Sequence, residues 1–361
     1  MAEQLTEKPA VTVLLPAHNA ERFVAQSVES VLGQTFRDFE LLAMDDGSTD
    51  ATGSILDSFA RRDSRVTVFH EPKQGLIATL NRGLRLARGK FLARQDADDE
   101  SLPDRFRCQI EFLEAHPAVG VVGTAITVIN TQGHPVRSHA YPLSNAEIKE
   151  WLKSGSAFAH PAVMMRAEAL GGIGEYRKAF EHGEDYDLWL RLAEHWEMAN
   201  LAEPLLRYRQ HESQVSMNHV RKQMLSTLAA RRCAELRRAG HCDPGQQVNL
   251  INVEFLCRIG VSETIIEEAI ISAVITAAYN ALDSGYPVLA EKLTGEAEDM
   301  LPRTARRNYW RFYIRWMRGK IRLKTGRVSS GICNLLGAGV LNPVLALKQA
   351  WLQRRRLDFC S

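Results

Sequence analysis

Apolar runs and helically spaced apolar residues alternate from Val11 to Ile129. VTVLLPAH, beginning at Val11, is apolar almost throughout, the pattern of a strand buried on both faces of a parallel sheet. In AERFVAQSVESVLGQ, Phe23, Ser27, Val28, Val31 and Leu32 recur at helical spacing, and Gly33 fits the end of that helix. FELLAMDD predicts a second strand, and ATGSILDSFARR a second helix with Ile55, Leu56 and Phe59 on one side. RVTVFHE predicts a third strand, GLIATLNRGLRLARG a third helix closed by Gly89, and KFLARQD a fourth strand. LPDRFRCQIEFLEAHP reads as a helix carrying Phe106, Ile110 and Leu113, and VGVVGTAITVI as a further strand. This alternation, with short connections, predicts an α/β domain with a largely parallel sheet. From about Tyr141 to Met217 the pattern mixes short elements, and beyond Asn218 it is mostly helical.

Composition changes this picture little: 45% hydrophobic and 24% charged residues are those of a globular chain rather than a disordered one. Charge changes it more. Fourteen Lys or Arg and no Asp or Glu fall between Met300 and Leu357, so a net +2 divides into −11 before residue 300 and +13 after it. The six cysteines form no CxxC pair, which argues against a zinc ribbon and suits reduced thiols in a cytosol. MAEQLTEKPA has no apolar core of the kind a signal peptide needs, and no run reads as an obvious transmembrane helix.

In parallel α/β sheets, ligands bind beyond the carboxyl ends of the strands. Three polar clusters fall at such ends and are expected to converge: PAHN (Pro16–Asn19), DDGSTD (Asp45–Asp50) and DADD (Asp96–Asp99). The turn after the first strand contains no glycine, so it is not a dinucleotide fingerprint, and no GxxxxGK[ST] loop exists. A bound diphosphate would need another source of positive charge. Asp96 and Asp98 offer hard oxygen ligands of the kind Mg2+ or Mn2+ takes. Plainer roles fit too. ESLPDR suits a helix entry, and DDGSTD a turn capped by Ser48 or Asp50. A carboxylate at the second strand's end could instead accept hydrogen bonds from ribose or a base. GEDYDLWLRLAE fits an amphipathic helix with acidic residues in its first turn, where the dipole favours them.

Together these blocks carry a resemblance. VTVLLPAHNAERFVAQSVESVLGQTFRDFELLAMDDGSTDAT, LNRGLRLARGKFLARQDADDESLPDRF and HGEDYDLWLRLAE resemble successive motifs of the inverting family 2 glycosyltransferases of the GT-A fold, over about residues 9–217. The resemblance implies a mostly parallel central sheet flanked by helices in a catalytic domain of residues 1–217, followed by a helical C-terminal region at 218–361. By position it implies that Pro16, Ala17, Asn19 and Asp46 line a nucleoside pocket, with Asp45 beside them. Asp96 would lie on the nucleotide side, Asp98 would be the direct ligand of Mn2+ or Mg2+, and Asp185 the catalytic base with Glu184 next to it. RYRQHESQVS resembles a later motif, which makes His211 a candidate for the diphosphate or metal. His160 in FAHPAV is a core histidine or an acceptor contact, and His18 stands where the family more usually has Tyr. The implied reaction moves a sugar from a nucleoside diphosphate, by resemblance UDP, to a hydroxyl of a saccharide or lipid-linked saccharide in surface polysaccharide or lipopolysaccharide synthesis. A nucleotidyltransferase acting on sugar phosphates remains an alternative, as does a non-catalytic sugar-nucleotide binder. The first would not need Glu184–Asp185, and retention of both acidic motifs argues against the second.

The tail has a pattern of its own. Arg303, Arg307, Arg311, Arg315, Arg318 and Arg322 form a basic helical stripe, and Trp310, Ile314, Met317 and Ile321 an adjoining apolar one. Residues 303–356 are therefore expected to dock a cytoplasmic enzyme on the anionic inner face of a membrane. Packing of the aromatic face within a helical domain is the competing reading, and nucleic acid is not an expected partner.

Overall fold

The computed structural model describes residues 8–211, 219–301 and 307–341. The apolar runs become strands β1 (Val11–Ala17), β2 (Phe39–Asp46), β3 (Val66–Glu71) and β4 (Phe91–Arg94). Every residue of β1, β2 and β4 is buried, as expected of central parallel strands. β1 pairs in parallel with both β2 and β4, and β2 with β3. Helices α1 (Val24–Leu32), α2 (Thr52–Ala60) and α3 (Leu76–Leu86) make the crossovers. α1 packs through Val24, Val28 and Val31, all fully buried. Each such valine contributes roughly 1.5–3 kcal/mol as an upper bound.

Gly89 does not close the third helix as its position suggested. α3 ends at Leu86, and the backbone is already extended at Ala87. A Cβ on Gly89 would overlap the backbone of Val11 and Thr12, so this glycine is required by the close approach of β4's entry to β1.

Beyond β4 the sheet becomes mixed. Strands β5 (Glu100–Ser101), β6 (Val119–Ile129), β7 (Pro135–His139), β8 (Met164–Arg166) and β9 (Glu197–Arg209) complete the order β3-β2-β1-β4-β8-β6-β9-β5, with β7 on β6. β8 lies antiparallel between β4 and β6, while β6 and β9 run parallel. The long strand β9 lies where the sequence pattern read only as mixed short elements. Helix α4 (Arg105–Ala115) follows the acidic loop as expected, α5 (Asn145–Trp151) and α6 (Ala167–Gly171) come before and after β8, and α7 (Glu184–Leu192) carries the later acidic motif.

The described residues divide into two compact units. The first comprises those within Met1–His211 and Ala229–Leu250, the second those within Glu212–Leu228 and Ile251–Ser361. The second contains the helices Glu263–Asp283, Pro287–Asp299, Arg307–Lys324 and Val328–Leu341. Two expectations change here. Trp310, Ile314, Met317 and Ile321 are buried in the helical unit, so the apolar stripe meets protein rather than solvent. The helix Glu263–Asp283 is also long and apolar enough to cross a membrane by length and composition, although no such run was expected. Its Ile266, Ile270, Ile271 and Val274 face the core of this unit. Arg303, with residues 304–306 and 342–356 of the expected docking segment, lies outside the described residues.

Candidate active site

The first two polar clusters meet through hydrogen bonds between the ends of β1 and β2. Pro16 and Ala17 are buried at the end of β1, and Ala17 pairs with Asp45 across the ladder. Asn19 takes a left-handed backbone (φ 49°). Its N–H donates to Ser48 Oγ at 3.0 Å, and its Oδ1 accepts from the Thr49 N–H at 2.9 Å. The Asp46 carboxylate accepts the Gln74 and Gly75 N–H groups at 2.6 and 2.9 Å. The φ of +91° at Gly75 favours glycine at that turn. His18 Nδ1 lies 2.9 Å from the Asp46 carbonyl and Nε2 2.8 Å from Lys73 Nζ, so Nδ1 faces an acceptor and Nε2 a donor. The Asp45 carboxylate instead meets the Ser48 N–H at 3.1 Å and His70 Nδ1 at 3.0 Å. Burial acts to raise its pKa, but the bonds from Ser48 and His70 outweigh this and hold it below the usual value.

Four carboxylates within DADDE would repel one another in isolation. Three buried guanidiniums offset that cost: Arg94, Arg105 and Arg209. Arg94 Nη2 bonds Asp96 Oδ1 at 2.5 Å. Arg105 donates to the Arg94 carbonyl at 2.7 Å and to Ser101 Oγ at 2.8 Å. Arg209, at the end of β9, donates its N–H to Asp99 Oδ1 at 2.7 Å, Nε to the Asp98 carbonyl at 2.8 Å and Nη2 to Glu100 Oε1 at 2.5 Å. Asp98 Oδ2 lies 2.8 Å from His211 Nε2, whose ring packs on Phe23 with centroids 5.5 Å apart.

Carboxylate oxygens of Asp96, Asp98 and Asp99 come within 4.8 Å of one another. Asp99 Oδ2 is buried without a hydrogen-bond partner. Burial, then charge repulsion within the cluster, raises the Asp99 pKa well above its usual value. Burial also raises that of Asp96, against the pull of Arg94. Crowded oxygen donors with an orphaned buried atom fit a hard divalent cation. Asp99 was legible only as part of the acidic run, and its role in the cluster depends on Arg209, remote in sequence. His211 reaches the site through Asp98.

The Glu184–Asp185 pair begins α7, after His182 in a left-handed conformation (φ 65°) and Gly183. Glu184 is buried and Asp185 half-buried. Burial pushes Asp185 up to about 6. Burial and the neighbouring Asp185 charge push Glu184 up to about 8. One turn along, Trp189 acts against the shift at Asp185, and its buried indole packs on His160 with ring centroids 6.0 Å apart. Trp189 thus borders the acidic pair as well as the core. His160 Nε2 meets the Tyr176 hydroxyl at 2.9 Å, and burial keeps the imidazole well below its usual pKa and therefore neutral. Arg94 ties the two sides together: its charge lowers Asp96, Glu184 and Asp185 alike. Asp187 stands in the first turn as expected but does more than meet the helix dipole. It is fully buried and binds Arg177, with Arg191 at 3.0 Å.

Comparison with known proteins identifies the family. The profile described as Glycosyl transferase family 2 matches residues 12–174. The putative glycosyltransferase EpsE of Bacillus subtilis is 37% identical over 207 residues, 56% of this chain and 73% of that protein. The O-antigen biosynthesis glycosyltransferase WbnJ of Escherichia coli is 32% identical over 207 residues, covering 56% and 80%. Among solved structures, the mannosyltransferase PcManGT of Pyrobaculum calidifontis, in complex with GDP-Man and Mn2+, aligns over 89% of this chain and 87% of its own, with TM-score 0.50 and 18% identity, a likeness of fold.

Proposed function

The chain belongs to glycosyltransferase family 2, and from that premise we propose that it is a metal-dependent, inverting transferase that moves a sugar from a nucleoside diphosphate to an acceptor hydroxyl. The observation that carries this reading is the placement of an acidic pair, buried Glu184 with half-buried Asp185, and a crowded carboxylate cluster, Asp96–Asp98–Asp99, in the field of one buried arginine. Pro16, Ala17, Asn19 and Asp46 are the proposed nucleoside-binding residues, with Asp45 holding their loop through Ser48 and His70. Asp98 and Asp96, with Asp99 beside them, would hold Mn2+ or Mg2+, which supplies Lewis-acid stabilisation of the departing diphosphate. His211 would orient Asp98.

Asp185 carries the proposed chemical step. Its carboxylate takes the acceptor hydroxyl's proton as that oxygen bonds to the anomeric carbon. The bond from that carbon to the diphosphate oxygen breaks, and the nucleoside diphosphate leaves with the electron pair. Attack opposite the leaving group inverts the anomeric configuration. With its pKa near 8, Glu184 is mostly protonated at neutral pH, so the pair holds one negative charge and Asp185 can act as base. His160, neutral and bonded to Tyr176, is a candidate acceptor contact.

The name of WbnJ supports saccharide assembly as the setting, with a saccharide or lipid-linked saccharide as acceptor. The deciding experiment incubates the protein with UDP-sugars or GDP-mannose, Mn2+ and mixed oligosaccharide acceptors, and identifies every product. Free nucleoside diphosphate with an inverted glycoside supports the reading. Pyrophosphate released in a parallel incubation with UTP and a sugar 1-phosphate would identify a nucleotidyltransferase, and binding of the nucleotide sugar without turnover a silent binder. Chelation of the metal, or Asp98→Ala, should abolish both donor binding and transfer; full activity in either case would refute the metal role.

A further inference from the structure

We propose that the outward face of the helix Val328–Leu341, flanked by arginines, docks this protein on an anionic lipid surface. The helical unit buries the apolar stripe first expected to do so, but leaves another in solvent. Val328, Ile332 and Leu336 are 55%, 47% and 66% exposed. Spaced four residues apart, they lie along one side of the helix.

The opposite side is fixed to the helix Arg307–Lys324. A Cβ on Gly319 would come within 2.7 Å of the Leu335 side chain, and one on Gly331 within 2.8 Å of Leu323. These two glycines let the helices pack closely, with Gly331 and Ala338 buried between them and the stripe turned away. Leu323, itself 36% exposed, extends the apolar surface at the hairpin.

Cations border it. Arg315 Nη1 lies 3.3 Å from where a Cβ on Gly337 would stand, so its guanidinium runs along one flank of the helix, about 100° around from Leu336. Arg311, one turn before Arg315, and Arg327, at the helix start, are exposed. Arg318 is not counted, because it bonds Glu298 at 2.5 Å. No Asp or Glu occurs between Met300 and Leu357 to offset this charge.

An apolar strip with basic flanks and no acidic residues matches the interface of an anionic bilayer, where Val, Ile and Leu enter the headgroup boundary and arginines meet lipid phosphates. Charge complementarity selects this occupant over a second copy of the chain, whose matching face would be equally basic.

The test is flotation of the full-length protein with phosphatidylcholine vesicles, with and without phosphatidylglycerol. Binding is expected only to the anionic vesicles and should weaken as salt rises. Ile332→Asp with Leu336→Asp, and separately Arg311→Glu with Arg315→Glu, should each lower vesicle affinity at least about tenfold, because each cation near the surface is worth about fivefold. Both variants should keep the wild-type circular dichroism and melting temperature, since the altered groups lie in solvent. Failure of the wild type to float at low salt would overturn the proposal, as would undiminished flotation of either variant. So would variants that turn a dimer into a monomer without altering flotation, or aspartates that strongly lower the melting temperature while flotation persists, because the face is then covered by protein.

Discussion

A half-buried carboxylate can serve as a base near neutral pH only if its environment raises its affinity for protons without protonating it fully. Asp185, pushed up to about 6 by burial, meets that condition. The sign follows from its charge. Asp185 is active as the anion, so kcat/KM should fall as pH drops through about 6 and level off above it. Asp185→Asn keeps the shape but cannot take the proton, so donor affinity should hold while transfer falls at least about a hundredfold. Collapse of donor affinity with a normal rate per bound donor would make Asp185 a binding residue instead. Arg94 gives a sharper expectation. Asp185 is faced by the Glu184 carboxyl, the hydroxyls of Tyr141 and Tyr176, the Trp189 indole and the Arg94 guanidinium; among these Arg94 is the fixed positive charge that favours its ionised form. Arg94→Met should therefore move the acid limb of the pH profile to higher pH, whereas Arg94→Lys should leave it close to the wild type. An unmoved limb in a folded Arg94→Met protein would mean that Arg94 serves only the Asp96 loop.

At the scale of elements, the legible parts of the chain were those whose burial repeats along a short segment. β1 and β2 are buried at every position, so their apolar runs announced them, and α1 showed its face at Ser27, Val28 and Val31. β9 was not legible, because exposed Glu197, Glu203 and Pro204 interrupt its apolar pattern; it exists through pairing with β6, whose register shifts at Pro204. The acidic motifs could be read as a candidate site, but their supports could not. Nothing local to DADD points to Arg209, 110 residues from Asp99, and nothing local to α7 points to the guanidinium of Arg177 beneath Asp187. That last contact yields a prediction for the element as a whole. Asp187 anchors α7 against two arginines, so Asp187→Ala would leave Arg177 and Arg191 in a nearly dry site with a shared partner missing. Removing one member of a buried ion pair costs about 3–5 kcal/mol, which urea denaturation would register as a large fall in midpoint at unchanged slope. A loss below about 1 kcal/mol, typical of exposed ion pairs, would mean that water replaces the carboxylate there.

For the whole molecule, charge and periodicity distinguished an α/β part from a basic helical part, yet the packing of residues 229–250 with the first unit was not visible in either. The reasons are particular. Ala229, Ala230, Cys233 and Ala234 are buried, but small residues make only a faint apolar stripe in a helix rich in arginine. The polar anchors are just as remote in sequence: Arg231 donates to the Ser154 carbonyl at 2.9 Å, Arg237 pairs with Glu194 at 2.8 Å, and Asp243 bridges Arg177 at 2.7 Å and Arg237 at 2.9 Å. Arg177 also holds Asp187, so this network continues to the helix that carries Asp185. A chain ending after residue 217, where the acidic motifs stop, would lose Asp243 and expose the surface that those alanines cover. A chain ending at Leu250 would keep both. We therefore expect residues 1–250 to fold and to bind UDP with Mn2+ within about threefold of the full chain, a difference of less than 1 kcal/mol. Residues 1–217 should be less stable by about 3–5 kcal/mol, the cost of breaking a buried ion network, or should fail to remain soluble. The measurements are urea unfolding and calorimetric titration of UDP with Mn2+ on both chains. If the shorter chain matches the longer in stability and affinity, residues 229–250 are an appendage to the catalytic unit and the network through Arg177 does not support Asp185.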